Sequence, residues 1–519
     1  LKKDVFQLVC FFCIYFGGLN SVFAQIQWKR CYGGSGEEVG YSIKETSDGG
    51  YIVAGQSSNA DGDIASNHGN ADYWILKLQV NGNIQWQKSY GGSDIDYAYS
   101  IQQTLDGGYI VAGASKSTDG DVLNNTNNSG GMKPWILKLD ANGNIQWQKL
   151  LDRYVTDMYN IKQTSDSGYI IVVGASLNGT FNLHDYWIVK LDANGDTQWD
   201  KTFGGTNTDT PRDIQQTSDN GYIVAGTTTS NDGDVTGLHG WSGIQDSWVI
   251  KLDFNGNVEW KKCFGGGYTD ATYSIQQTQE GGYVMAGMSN SIDGDLPNTI
   301  NPNLRPWIVK MNASGVIEWQ SGELGAMPSM ATYVQQTLDG GYVFTGKVRC
   351  DNQYTWMNCA DGDELLIAKL NANGAFEWQQ AVGGSSNEIG YGLQQTFDGG
   401  YIVIGITSSM DYDATGNHGG KDMWVIKYSA TTNITENLFD SFSISPNPTN
   451  GKINIELKGD KAKNEMQVEI TNLFGQSILN EKIENANHTL DISTQEAGMY
   501  FVHIKDKDGH KTVQKIQKY

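Results

Sequence analysis

Along most of the chain, aromatic and β-branched residues alternate with polar ones, the period-two pattern of strands that bury one face. One unit shows it plainly: Tyr99 to Thr104, Tyr109 to Ser115, Trp135 to Leu139 and Ile145 to Lys149 read as four short strands. Asn81-Gly82, Asn142-Gly143, Asn194-Gly195, Asn255-Gly256 and Asn373-Gly374 each join a third strand to a fourth. Asn-Gly supplies the positive φ that tight hairpins require. Strand one meets strand two through Asp48-Gly49-Gly50 and its equivalents.

The unit recurs. Variants of Gly-Gly-Tyr-Ile-Val-Ala-Gly place Tyr51, Tyr109, Tyr169, Tyr222, Tyr283, Tyr342 and Tyr401 at spacings of 58, 60, 53, 61, 59 and 59 residues. Seven regular four-stranded meanders predict an all-β chain built on a seven-bladed β-propeller. The seventh unit reaches its third strand at Trp424 and lacks a fourth, whereas Ile26-Gln27-Trp28-Lys29 stands as an orphan fourth strand before the first unit. Pairing the two closes the ring and removes exposed sheet edges. The repeats resemble secreted bacterial β-propeller repeats over residues 26 to 428, a resemblance of fold that implies no single activity.

The two ends read as addresses. Lys2 and Lys3 precede an apolar run from Val5 to Phe16, and Val22-Phe23-Ala24 suits signal peptidase, with cleavage expected between Ala24 and Gln25. The run is too short to span a bilayer, no other stretch is long enough, and Cys10 and Cys13 lack a lipoprotein context. At the far end, Ser445-Pro446-Asn447-Pro448-Thr449-Asn450-Gly451 leads into Lys452-Ile453-Asn454-Ile455-Glu456-Leu457. Val468 to Asn472, Leu490 to Ser493 and Gly498 to Ile504 follow as further strands. This pattern resembles the type A C-terminal sorting domain of the type IX secretion system, a small β-sandwich. The resemblance implies export across both membranes by that machinery and removal of the tail on release or surface attachment. The expected domains are a signal peptide (1–24), the propeller (25–428), a linker (429–440) and the sorting domain (441–519).

Composition agrees: 64 Gly against 8 Pro in 519 residues means many tight turns rather than a flexible linker. The formal charge is -22, of which the propeller carries -21, so nucleic acid and anionic lipid surfaces are disfavoured and cations or neutral partners remain.

Internal repetition separates scaffold from site. Lys77, Lys138, Lys190, Lys251, Lys310, Lys369 and Lys427 share one position in all seven units, and 13 of the 15 Trp fall at two repeated positions, so both sets are scaffold. Trp241 and Trp356 are the exceptions; with Tyr354 they lie in long two-to-three loops. Those loops and the inter-blade connections share one face, where aromatics without a repeat duty either stack on a sugar or partner side chain or plug their own loop.

Asp-Gly-Asp recurs at Asp61 and Asp63, Asp119 and Asp121, Asp232 and Asp234, Asp293 and Asp295, and Asp361 and Asp363. Such pairs can chelate calcium or cap turns. Glu38, Asp96, Asp157, Asp209, Asp270 and Glu388 stand just before first strands, with Ser329 in the sixth unit. As a ring at the channel mouth they can hold a cation or brace neighbouring blades. His68, His184, His239 and His418 belong to different units and form no chelating set, and there is no nucleophile elbow, Cys-x-x-Cys, phosphate loop or His-Glu-x-x-His. Cys350 and Cys359 bracket one loop and are a disulfide candidate, whereas Cys31 and Cys263 lie nearly across the ring. The expectation is an exported module that binds a surface protein or glycan. The rivals are a polysaccharide-active hydrolase or lyase using loop acids, with calcium, and a structural surface protein.

Overall fold

The computed structural model describes residues 24–518 apart from 127–130, 177–182, 242, 297–302, 323–328, 351–361, 431–441, 447–448, 458–465, 473–476, 484–486, 497 and 507–510. All regular structure among the described residues is β, and none is a helix able to cross a membrane. Strands Glu38–Glu45, Tyr51–Ser57, Asp72–Leu78 and Ile84–Tyr90 form the first antiparallel sheet in chain order. Five further sheets of the same form follow along the chain. The last repeat contributes Glu388–Gln395, Tyr401–Thr407 and Asp422–Tyr428, and Ile26–Tyr32 completes that sheet by pairing Lys29 with Ile426 and Tyr32 with Met423.

Each sheet packs face to face on the next. Ile110 and Ile136 of the second share a core with Ile161, Trp187 and Val189 of the third. Tyr51, Trp74 and Leu76 of the first share one with Ile402, Ile404 and Met423 of the last. The two repeated Trp positions have distinct duties. Third-strand Trp74, Trp135, Trp248 and Trp424 are fully buried. Fourth-strand Trp28 and Trp86 meet Tyr51 and Tyr109 of the following sheet edge-on, both at 5.9 Å, a favoured aromatic geometry. Trp28 also lies against Gly82 of the Asn-Gly hairpin, whose φ of 81° and 3.0 Å clearance from that ring exclude a side chain.

The repeated lysine is explained by the turn beside it. Lys77 Nζ, buried, donates to Asp48 Oδ1 at 3.0 Å and to the Leu78 carbonyl at 3.2 Å. Asp48 in turn accepts from Thr46 Oγ1 and the Gly50 amide, so each one-to-two turn is tied to its own third strand.

The tail has two sheets. Phe442–Ser445, Lys452–Leu457 and Asn487–Asp491 make one. Ser477–Ile483, Met466–Asn472, Gly498–Asp506 and Lys511–Lys518 make the other. Ile453, Ile455, Val468, Ile470, Leu490, Val502 and Ile504 fill the core between them.

Candidate functional site: junction carboxylates and an inner cationic cavity

First and third strands begin at the end of the sheets that carries the long loops. There Glu38, Asp96, Asp209, Asp270 and Glu388 are fully buried. Each accepts the amide of a preceding glycine, Gly34, Gly92, Gly205, Gly266 and Gly384, at 2.7 to 2.8 Å. Serine hydroxyls add to this: Ser117 donates to Asp96 at 2.8 Å and Ser291 to Asp270 at 2.7 Å.

Each of these acids faces a second one that sequence reasoning missed. Asp72, Asp185, Asp246, Glu364 and Asp422 lie at or near the start of the third strands of the preceding repeats and are also buried. The two members of a pair flank one glycine: Glu38 and Asp422 at Gly33, Asp96 and Asp72 at Gly91, Asp209 and Asp185 at Gly204. Burial pushes Glu38 up to about 7 and Asp96 to about 6. It also lifts Asp185 to about 7, with the charges of Asp209 and Asp234 adding to the effect, and Asp246 to about 6. The signal for the second set was a carboxylate five residues before the repeated lysine. Where the first acid is replaced by Ser329, that place holds buried Arg305.

Asp157 does not align with its supposed equivalents. It pairs with Gly174, the rung that Ala98 and Gly113 form in the second sheet, whereas Asp96 pairs with Ser115. The strand Tyr169–Ser176 has one residue more than Tyr109–Ser115, and register shifts in its partner absorb the difference.

The Asp-Gly-Asp turns clasp the glycine pair of the preceding repeat. Asp61 accepts the Ser35 amide at 2.8 Å and its hydroxyl at 2.6 Å, and the Asp63 amide donates to the Gly33 carbonyl at 2.9 Å. Asp119, Asp232 and Asp293 accept from Ser93, Thr206 and Gly267 in the same way. The amides of Asp121, Asp234 and Asp295 donate to Gly91, Gly204 and Gly265. The seventh repeat makes the same clasp with Asp411 and Asp413, Tyr412 taking the glycine place at φ 48°. Asp363 instead sits inside a strand, 2.6 Å from Lys347 Nζ, and Asp361 lies outside the described residues. Among the described residues, no three His, Cys, Asp or Glu side chains are grouped to hold a metal ion. His68, His239 and His418 place Nδ1 2.6, 2.9 and 2.7 Å from Asp72, Asp246 and Asp422, one histidine per junction.

Trp241 is 83% exposed in the fourth long loop, and Tyr268 and Tyr412, which sequence reasoning passed over, are exposed at the same end. Trp356, Tyr354 and Cys359 lie outside the described residues; Cys350 is disulfide-bonded, and Cys31 and Cys263 are free. Ala24 is buried against the last sheet, and the Gln25 carbonyl accepts the Ser429 amide at 2.7 Å.

A second concavity, about 100 Å³, opens between the first strands and is lined by Lys44, Lys162, Arg212, Asp213 and Tyr333. Tyr41, tilted against Tyr99 at 4.9 Å and Tyr391 at 5.5 Å, forms part of its wall. Asp213 accepts from the Ile214 amide at 2.9 Å, Ser274 Oγ at 3.1 Å and the Ile275 amide at 3.0 Å, and Asn160 Nδ2 donates to it as well.

Comparison with known proteins bears on the tail first. Residues 443–518 match the family of secretion system C-terminal sorting domains. This segment is a type IX sorting tail. It makes the chain cargo of that secretion machinery, bound for the exterior or the outer surface. The chain is similar to PorZ, an essential surface component of the type IX secretion system of Porphyromonas gingivalis. Identity is 11% over 94% of this chain and 60% of that one, with a TM-score of 0.42. The chain thus spans 60% of the length of PorZ. It is also similar to Sqt1 from Chaetomium thermophilum, at 11% identity over 77% of this chain and all of that one, with a TM-score of 0.41. No curated protein matches the chain.

Proposed function

We propose that residues 25–428 form one closed seven-bladed propeller that, once exported under the sorting domain at 441–519 and freed of a signal peptide at 1–24, binds a surface protein or glycan through its loop-bearing face. The exposure of Trp241 carries this reading. Every tryptophan at the repeated third-strand position is buried, whereas this one holds an indole in solvent at 83% exposure. A large rigid aromatic is the side chain that most often anchors a ligand, at about 2 kcal/mol or more when it is fully covered. Trp356 and Tyr354, in the sixth repeat, are assigned to the same face.

The test is glycan-array and pull-down binding of the mature chain beside Trp241→Ala and Trp356→Ala. Each replacement is expected to weaken binding by about tenfold or more without moving the melting temperature. Binding that survives both replacements rejects the assignment.

A further inference from the structure

One repeated position sets the inner cavity apart. Seven residues before the repeat tyrosine, five repeats carry glutamine: Gln102, Gln215, Gln276, Gln335 and Gln394. Each side-chain carbonyl accepts a backbone amide of the neighbouring first strand. Gln163 and Gln277 donate to Gln102 and Gln215 at 3.1 and 2.7 Å, and Glu45 donates to Gln394 at 2.8 Å. The first and third repeats carry Lys44 and Lys162 instead. Lysine has no acceptor, so these two positions give up the brace.

What replaces it is convergence. Lys44 of the first repeat, Lys162 of the third, Arg212 and Asp213 of the fourth and Tyr333 of the sixth all line the same cavity. At the place of Asp213 and Tyr333 three other repeats have serine. Departures from the repeat in four units thus meet at one point. Among the described residues lining it, Lys44, Lys162 and Arg212 stand beside the carboxylate of Asp213, which the hydrogen bonds already described engage. Among the described residues, no carboxylate lies at ion-pair distance from Lys44 or Lys162, and Lys44 Nζ donates to Tyr333 Oη at 3.3 Å. An ammonium group so placed is costly unless an anion completes the site.

We propose that this cavity binds one small oxyanion, such as phosphate, sulfate or a short carboxylate, through Lys44, Lys162 and Arg212, with the Tyr333 hydroxyl free to donate to it. About 100 Å³ is room enough for such an ion. The charge state agrees. Burial, opposed by Asp213, pushes Lys44 down to about 8, and burial together with the Lys44 charge lowers Lys162. Burial raises Tyr333, leaving it a neutral donor. The site is independent of the loop-face reading.

The experiment is calorimetric titration of the mature chain with phosphate, sulfate and acetate at matched ionic strength, with glucuronate as the arm for a carboxylate carried on a larger ligand. One-to-one binding is expected. Lys162→Gln and Lys44→Gln, each installing the residue that the other repeats carry there, are expected to weaken it by about tenfold. Lys162→Arg should retain it, and Trp241→Ala should leave it unchanged. Affinity should fall as pH rises from 7 to 9, because Lys44 loses its proton over that range. Absence of binding by all four anions, or binding indifferent to both glutamine variants, overturns the proposal.

Discussion

Glu38 and Asp422 meet at Gly33, each with a carboxylate oxygen 2.6 Å from where a Cβ would stand. One acid opens the first strand of the first repeat and the other the third strand of the last, so a pair of buried carboxyls lies where the last sheet meets the first. Burial raises both. Folded carboxyls with raised values hold protons that the unfolded chain has already released. Stability from these groups is therefore fully present only below the unfolded values of 3.8 to 4.5 and is lost as pH rises from there through about 6 to 7. Melting temperature should fall between pH 5 and pH 8. Glu38→Gln should flatten that fall and stabilise the protein at pH 8 by on the order of 1–3 kcal/mol. A melting temperature that climbs over this range contradicts the account.

The tie between Lys77 and Asp48 is asymmetric, since the lysine side chain is 4% exposed and the aspartate 53%. Removing the aspartate strands a buried ammonium, which costs about 3–5 kcal/mol. Removing the ammonium releases a carboxylate that water already reaches. In urea denaturation, Asp48→Ala should therefore lose more stability than Lys77→Met, whose long apolar stem keeps the packing. Equal losses would point to packing alone.

Closure depends on Ile26–Tyr32. Without it, Asp422–Tyr428 is an open edge with unpaired amides and carbonyls. Deleting residues 26–32 is expected to broaden thermal unfolding and to shift the protein to aggregates in size-exclusion chromatography. A monomer with an unchanged transition would show that the strand is dispensable.

Cys31 and Cys263 should resist labelling. Burial, with nearby carboxylates adding to it, pushes both thiols up to about 12, which leaves almost no thiolate at pH 8. Alkylation followed by mass spectrometry should find both unmodified in the native protein and both modified in denaturant. Rapid native labelling of either would refute this.

How much of this was legible in the sequence follows from where each interaction is local. The strands and the Asn-Gly hairpins could be read because alternation and positive φ are properties of adjacent residues, and the orphan strand at Trp28 announced its partner by its absence at the other end. Junction acids such as Asp72 and Asp246 could not be read as half of a pair, because their counterparts lie on the next repeat and only packing brings them to one glycine. Asp157 stands one residue closer to its repeat tyrosine than Glu38 or Asp96 does to theirs, and register shifts within its own strand carry it off their rung. Tyr412 hid the seventh clasp by standing where glycine stands elsewhere. Lys44 and Lys162 did leave a signal, a broken run of glutamines, but their meeting with Asp213 and Tyr333 belongs to the closed arrangement of strands.

The seam has a mechanical meaning as well. The strand Asp422–Tyr428 runs directly into residue 429 and so into the exported tail, and it is gripped on one side by Tyr401–Thr407 and on the other by Ile26–Tyr32. Antiparallel ladders bond at right angles to the strands, so tension drawn through the tail loads both ladders in shear rather than peeling either open rung by rung. The last strand before the tail is thus held by the N-terminal strand of the chain as well as by its own repeat.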